Sequence, residues 1–423
     1  MLRVYTLLFY LALPFALLRL VWRSRNNIDY RQRFMERFGF IKPIRSNHTL
    51  WVHCVSVGET IAATPFIKAL ITKYPHKEII ITSTTPTGSA QVKKQFGNSV
   101  HHCYMPYDTP SFIKRFIKRA HITFCIFMET ELWPNTLKIC KQKSLPVMLA
   151  NARLSERSMH GYLRFKKSTF NMMQCLSVVA AQSDADGKRF LKLGLPKEKL
   201  LITGNIKFDL TLPIDIHTQG KELRNNWHAN DRPVFIAAST HDGEEIIILD
   251  AYQQLLKSHP NLLLILVPRH LERFDTVNTL CNAYKLKTVR HSTKETVTAT
   301  TQVILGDTMG ELLRLYATSD IAFVGGSLND TGGHNLMEPA ALGLPIISGP
   351  SLRNFAVMHN LLTEAQAICI VNNAEELSQN ITNLIDNKPL QEQMGNAAKQ
   401  VIEENKGAIA KNVEWVSQAF PKQ

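Results

Sequence analysis

VGGSLNDTGGHNLMEPAALGLPIISG, residues Val324 to Gly349, is the stretch whose reading decides the fold. The apolar run ending Ala322-Phe323-Val324 predicts a buried strand. A glycine-rich turn follows, then a helix from about His334, then a second apolar run at Leu344–Ile347. Strand, glycine loop, helix, strand is the repeating unit of a parallel α/β sheet. Glu338 falls in the first turn of the helix. A helix N-terminus presents unpaired backbone N–H groups and a partial positive charge, which suit a phosphate. Glu338 at the same mouth can accept hydrogen bonds from two ribose hydroxyls. A tight turn into an N-capped helix, with no ligand, is the alternative reading of this segment alone.

The same alternation extends outward in both directions. Candidate strands before residue 210 are Leu50–Val55, Glu78–Thr82, Thr123–Met128, Pro146–Leu149, Ser177–Ala181 and Leu200–Thr203. Those after it are Val234–Ala238, Leu262–Val267, Val303–Leu305, Ile321–Val324, Pro345–Ile347 and Ile368–Val371. Amphipathic stretches separate them, which predicts two doubly wound parallel sheets of the Rossmann kind. A polar, proline-bearing seam lies near Leu210–Gln219. The last helical stretch, about Pro389–Phe420, is long enough to cross back to the first domain. Ligands of such sheets bind beyond the carboxyl ends of the strands. Two facing sheets therefore imply one cleft between domains.

A chain of 423 residues accommodates two or three domains, and 45% hydrophobic with 20% charged residues fits ordinary globular cores. The net charge of +14 calls for an anionic partner. A membrane surface and a phosphorylated substrate fit. No nucleic-acid-binding motif accompanies the charge, so no nucleic acid is expected. The seven cysteines, at 54, 103, 125, 140, 175, 281 and 369, are odd in number and form no CxxC pair. They read as buried free thiols in a reducing compartment. Val4–Leu18 is uncharged and nearly all apolar, and Arg19, Arg23, Arg25, Arg31, Arg33 and Arg37 follow it. As a helix this apolar run reaches roughly 22 Å at about 1.5 Å per residue, short of a hydrocarbon core of roughly 30 Å. Snorkelling arginines lengthen it. With no small-residue cleavage site, the segment reads as a retained anchor, and the flanking charge keeps the body cytoplasmic.

Several strand-to-helix junctions carry chemistry. In His53-Cys54-Val55-Ser56-Val57-Gly58-Glu59, the dipole of the following helix favours an ionised Glu59, which can serve as general base or merely cap the helix. Glu129-Thr130-Glu131 places two carboxylates two residues apart at a strand end. One is expected to point into the cleft and one to pair with a cation. Lys207, in GNIKFD at Gly204–Asp209, suits a leaving phosphate or a developing charge. In the second half, Pro268-Arg269 ends a strand, and Arg269 fits a planar anion. Met309-Gly310-Glu311 lies in a further loop-to-helix turn. Asp184-Ala185-Asp186 has the spacing of a metal-binding DxD, but follows Ser183 at a helix start, where capping is expected. No metal site is expected. Ser111–Arg119 sets apolar and basic pairs at helical spacing, either for an anionic membrane or as a surface helix with its apolar face inward.

Taken together and in order, these segments resemble the bacterial 3-deoxy-D-manno-octulosonic acid (Kdo) transferases, GT-B glycosyltransferases of family 30. The resemblance runs over nearly the whole chain: VSVGE at Val55–Glu59, METELWPN at Met128–Asn135, NARLSERS at Asn151–Ser158, GNIKFD, ASTHDGEE at Ala238–Glu245, VPRH at Val267–His270, GDTMGEL at Gly306–Leu312 and GGHNLMEPAALG at Gly332–Gly343. It implies a membrane anchor over 1–25, an acceptor-binding Rossmann-like domain over 26–212 and a CMP-sugar-binding one over 213–423. It implies transfer of Kdo from CMP-Kdo to a lipid A precursor, lipid IVA, at the cytoplasmic side of the cell inner membrane, by an inverting single displacement with no metal or other cofactor. By resemblance Glu59 is the base, and Glu129 and Lys207 stabilise the transition state. Pro268, Arg269, Met309, Gly310, Glu311, Asn335, Leu336, Met337 and Glu338 bind CMP. A GT-B enzyme using a UDP- or ADP-sugar and a noncatalytic nucleotide-binding membrane module are the alternatives.

Overall fold

The computed structural model describes residues 2–25, 28–293 and 295–419. The chain forms two compact units: Met1–Asp209 together with Lys406–Gln423, and Leu210–Asn405. The seam opens the proline-bearing stretch, three residues ahead of the boundary at 212 read from the sequence. Asn26 and Asn27, where the first domain is expected to start, and Phe420, at the end of the last expected helix, lie outside the described residues.

The first unit is a parallel sheet of seven strands: β1 (Thr49–His53), β2 (Glu78–Ser83), β3 (His101–Tyr104), β4 (Ile122–Met128), β5 (Val147–Ala152), β6 (Val178–Ala181) and β7 (Leu200–Ile202). Their order is β3-β2-β1-β4-β5-β6-β7. The chain winds outward from β1 through β2 and β3, then returns to lay β4 on the other side of β1. The second unit repeats the device with β8 (Val234–Thr240), β9 (Leu263–Pro268), β10 (Thr288–Arg290), β11 (Val303–Leu305), β12 (Ile321–Val324), β13 (Ile346–Ser348) and β14 (Ile368–Ile370). Its order is β10-β11-β9-β8-β12-β13-β14, so winding reverses between β8 and β12. This is a GT-B arrangement of two Rossmann-like sheets.

Alternation along each strand sorts side chains into two cores per unit. From β1 and β4, Trp51, Cys125 and Phe127 go to one face. Leu50, Val52, Phe124 and Ile126 go to the other. From β8 and β9, Phe235, Ala237, Leu264 and Leu266 oppose Ile236, Ala238, Leu263 and Ile265. Two strands escape the sequence reading, β3 (HHCY) and β10 (TVR). Both are sheet edges of four and three residues. An edge strand meets only one neighbour and tolerates polar side chains; β3 and β10 carry them, while the other two edges, β7 (LLI) and β14 (ICI), are apolar.

The C-terminal helix Ala408–Ala419 belongs to the first unit. It buries Ala408, Val413 and Val416 against the β1–β4 core, and Trp415 lies beside Phe124 with ring centroids 6.0 Å apart. Asp209 accepts from the backbone N–H groups of Gly407 and Ile409, pinning the returning chain. All seven cysteines are free. Cys54, Cys103, Cys125, Cys140 and Cys281 are buried, and Cys175 and Cys369 half-buried.

The N-terminal helix is Leu2–Arg23, longer than its uncharged run and about 33 Å at ~1.5 Å per residue. It is long and apolar enough to cross a membrane. One side is tied to the body: Tyr5 Oη donates to Asp108 (3.1 Å), Thr6 Oγ1 to Asn135 (2.9 Å), and Tyr10 Oη lies 2.9 Å from Ser111 Oγ. The other side leaves Leu7, Leu8, Leu11, Phe15, Leu18 and Trp22 exposed. Helix Pro110–Ala120 turns Ile113, Phe116 and Ile117 into the core. Its Arg115 and Arg119 donate to the carbonyls of Phe38 and Ile41, so it is built as a surface helix with its apolar face inward.

Candidate active site

Both sheets place their motifs at the point where winding reverses. There two loops leave neighbouring strands in opposite directions and open a crevice at the carboxyl edge. In the first unit the strands are β1 and β4. Beyond β1, Ser56 N-caps helix Val57–Lys73, and its hydroxyl accepts from the Glu59 N–H at 3.2 Å. The Glu59 carboxylate answers by accepting from the Val55 N–H (2.9 Å) and the Ser56 hydroxyl (3.0 Å). This is a reciprocal cap of the kind S-x-x-E specifies. Burial raises the Glu59 carboxyl above its ordinary value and the nearby Glu129 pushes the same way, against the lowering by these hydrogen bonds. Each carboxylate oxygen has a second lone pair, so capping leaves room for an acceptor hydroxyl.

Glu129 ends β4 at φ 57°, a left-handed conformation uncommon outside glycine and asparagine. Its N–H donates to Ala150 O at 3.0 Å, so the chain stays paired to β5 while it turns. Two residues on, Glu131 accepts from the Trp133 indole N–H at 2.9 Å. The expected cation partner is not there: among the described residues neither Glu129 nor Glu131 forms an ion pair. Burial, the charge of Glu59 and that of Glu129 instead push Glu131 up to about 7, against the opposing Trp133 bond. The sequence shows Glu131 only as a second acid. Its proximity to Glu59 arises from the pairing of β1 with β4, which spacing does not reveal.

This has a sign in stability. A carboxyl whose folded pKa exceeds its unfolded one favours folding below the unfolded value, and that contribution is lost as pH rises through the folded value. For Glu131 the window runs from about 4.5 to about 7. Glu131→Gln keeps an acceptor for Trp133 and removes the charge. It is expected to stabilise the first unit by about 1–2 kcal/mol at pH 8, after discounting for partial exposure, and hardly at all near pH 4. Thermal melts of wild type and variant at the two pH values check this. Equal melting temperatures at pH 8 would count against the carboxylate cluster.

Lys207 sits on the short turn Ile206–Phe208 after β7, and its side chain is exposed. Strands β5 and β6 separate β7 from β4, yet this turn packs against helix Val57–Lys73, which carries Glu59. Asn151 holds it there, accepting from the Ile206 N–H at 3.1 Å. Asp186 is a capping residue in the structure. Its N–H donates to Ser183 Oγ (3.2 Å), and its carboxylate accepts from the Leu154 N–H (2.8 Å).

In the second unit the reversal lies between β8 and β12, with β9 and β11 next in line. The sequence-chosen nucleotide residues lie at the end of β9 and in the segments that follow β9, β11 and β12. Pro268 ends β9, and Arg269 is exposed with its N–H on Thr240 O (2.9 Å). Beyond β11, Met309 is exposed, Gly310 has φ 89°, and Glu311 faces His291 at 3.3 Å. Beyond β12 the expected helix from His334 begins later, at Met337, and runs to Ala341. Gly332 and Gly333 hold left-handed φ of 96° and 78°, and Asn335 Oδ1 accepts from the Met337 N–H (3.1 Å), so the chain is still turning at His334. Glu338 keeps its place in the first turn, its carboxyl raised by burial against a hydrogen bond from Asn335. The side chains of Leu336 and Met337 are buried.

In the glycine-rich turn ahead of that segment, the backbone N–H groups of residues 326–328 are held by a carboxylate. Buried Glu244, at the start of helix Glu244–Ser258, accepts from Gly326 (2.7 Å), Ser327 (2.9 Å) and Leu328 (2.9 Å), and also from His241 (2.9 Å). The turn is thereby strapped to the β8 loop, and what it presents outward is the His334–Glu338 segment.

Comparison with known proteins bears on family and fold. A family model described as "3-Deoxy-D-manno-octulosonic-acid transferase (kdotransferase)" matches residues 32–210, and one described as "Glycosyl transferases group 1" matches 235–401. The 3-deoxy-D-manno-octulosonic acid transferase of Haemophilus influenzae is 46% identical over 408 residues, covering 96% of this chain and 95% of that protein. This chain belongs to the Kdo transferase family. Members of the family are glycosyltransferases, and the two sheets are those of one. A probable mitochondrial Kdo transferase of Arabidopsis thaliana is 30% identical, over 97% of this chain and 94% of that protein. A glycosyltransferase structure from Rickettsia africae shares the fold at TM-score 0.57 and 16% identity, covering 90% of this chain and all of that one.

Proposed function

We propose that this protein transfers Kdo from CMP-Kdo to a lipid A precursor, lipid IVA, on the cytoplasmic face of the inner membrane in lipopolysaccharide synthesis. The observation that carries the reading is the meeting of Glu59 with Glu129 and Glu131 at the β1/β4 reversal, in a chain whose relatives are named Kdo transferases. A raised Glu59 is a better base than an ordinary carboxylate. It takes the proton of the acceptor hydroxyl, which attacks the anomeric carbon as the bond to CMP breaks on the opposite face. One displacement inverts that centre. The carboxylates of Glu129 and Glu131 suit the positive charge that develops on the sugar ring. CMP leaves as a stable anion. Lys207 and Arg269 are cations suited to neutralising it, with no demand for a metal.

The acceptor is anionic and acylated, which accounts for both the net charge of +14 and the exposed apolar side of helix Leu2–Arg23. Because Tyr5, Thr6 and Tyr10 tie the opposite side to the body, the helix lies along the membrane surface with Leu7, Leu11 and Phe15 in lipid. Purified full-length protein is expected to move labelled Kdo from CMP-Kdo to lipid IVA. Free CMP is expected to inhibit, and UDP and ADP to have no effect at equal concentration. Inhibition by UDP or ADP in place of CMP would move the assignment to another GT-B donor. Nucleotide binding without any turnover would leave only a sensing module.

A further inference from the structure

His241 and His334 come from different loops, beyond β8 and β12, and meet at the reversal point of the second sheet. Their Nε2 atoms are 2.7 Å apart, a hydrogen bond, with ring planes 6° from parallel. Gly326 makes this possible. At φ 66° it tolerates a backbone that other residues rarely adopt, and a Cβ there would lie 2.7 Å from His334 Cδ2. A single proton holds the two Nε2 atoms together. In the neutral pair one ring therefore carries its hydrogen on Nε2 and has a bare Nδ1, while the other carries its hydrogen on Nδ1. Neither Nδ1 has a hydrogen-bond partner among the described residues. One added proton makes both Nδ1 atoms donors and gives the pair a positive charge.

The surroundings oppose that proton while no anion is bound. Facing the pair are Glu244 from helix Glu244–Ser258, and Arg269, His270 and Arg273 from the segment after β9. The Glu244 carboxylate favours a proton on His241, but burial and the three cations outweigh it, and its oxygens are taken by four backbone N–H groups. His270 lies edge-on to His241 with centroids 5.1 Å apart. Burial, and then the neighbouring histidines and Arg269, hold His334 down to about 4; burial also lowers His241. A phosphate monoanion or dianion beside Arg269 reverses the balance of charge at both rings.

We propose that the His241–His334 pair is a proton-linked phosphate receptor: it takes one proton from solvent when a nucleotide phosphate binds beside it, and both Nδ1–H groups then donate to that phosphate. This rests on the reading of the second unit as a CMP site. It adds a positioning pair to the nucleotide residues and makes donor binding depend on pH.

Calorimetric titration of the full chain with CMP near pH 7.5, in two buffers of different ionisation enthalpy, tests it. Wild type is expected to take up about one proton per CMP bound. His334→Gln and His241→Asn are each expected to abolish the uptake and to weaken CMP binding about tenfold near pH 6.5, with a smaller loss near pH 8.5. Cytidine, which has no phosphate, is expected to cause no uptake. CMP binding by wild type with no buffer dependence, or equal uptake by wild type and a folded variant, overturns the proton-linked receptor alone. Failure of wild type to bind CMP overturns the CMP reading itself. The wild-type measurement decides even if a variant does not fold.

Discussion

Glu59→Gln is expected to lower the turnover of Kdo transfer by about 10²–10⁴-fold, the range that a positioned general base contributes. The amide is nearly isosteric, and its oxygen can still accept from the Val55 N–H. Helix Val57–Lys73 therefore keeps most of its cap. CMP binding is expected to be unchanged, since the residues proposed to bind CMP, from Pro268 to Glu338, lie in the other unit and Glu59 is not among them. Glu59→Ala is expected to lose activity similarly, with a further stability cost of about 0.5–2 kcal/mol from the lost cap. The pH profile adds a second readout. A base must be ionised, so activity falls as pH drops through the Glu59 value, which burial sets above the ordinary 4.5. The acid limb of the wild-type profile is thus expected above that point, and absent from residual Glu59→Gln activity. Normal turnover in a folded Glu59→Gln would end the base assignment, and Glu131 would inherit it as the nearest carboxyl of raised pKa.

What the sequence made legible depended on distance along the chain. Ten of the twelve strands legible as apolar runs are interior strands of a parallel sheet, buried on both faces. The edges β7 (LLI) and β14 (ICI) are also apolar and so were legible, whereas the edges β3 (HHCY) and β10 (TVR) carry polar side chains and were not. At the site, the sequence showed Glu59 at a helix start, where the dipole favours a carboxylate, but not the reciprocal cap that Ser56 and Glu59 form. The raised Glu131 was invisible because its causes are burial and then Glu59, 72 positions earlier by number, brought close by β1–β4 pairing. His241 and His334 are likewise separated by 93 positions and joined by one hydrogen bond. Motifs disclose what each loop carries. Strand order decides which loops meet.

Glu244→Ala is expected to cost the second unit about 3–5 kcal/mol, a large part of the roughly 5–15 kcal/mol by which domains are stable. The side chain is almost fully buried and accepts from four backbone N–H groups, two on each oxygen. Removing it leaves four donors with no acceptor, each costing on the order of 1–3 kcal/mol unless water enters. The space is tight. A Cβ on Gly325 would lie 2.9 Å from Glu244 Oε2 and 2.8 Å from Ser239 O. Glu244→Gln separates charge from hydrogen-bond polarity, since its NH₂ would point a donor at two donors. It is therefore expected to destabilise nearly as much as alanine, whereas a merely electrostatic helix-start acid would lose only about 0.3–1 kcal/mol. Urea unfolding of the second unit, alongside CMP titration, checks both. A Glu244→Gln protein as stable as wild type would refute the strap. If the strap holds the turn, both variants are also expected to weaken CMP binding, because the loop it fixes carries His334 and Glu338. Gly326 and the two residues after it then serve the carboxylate beneath them, and the proposed nucleotide contacts fall to the residues that follow.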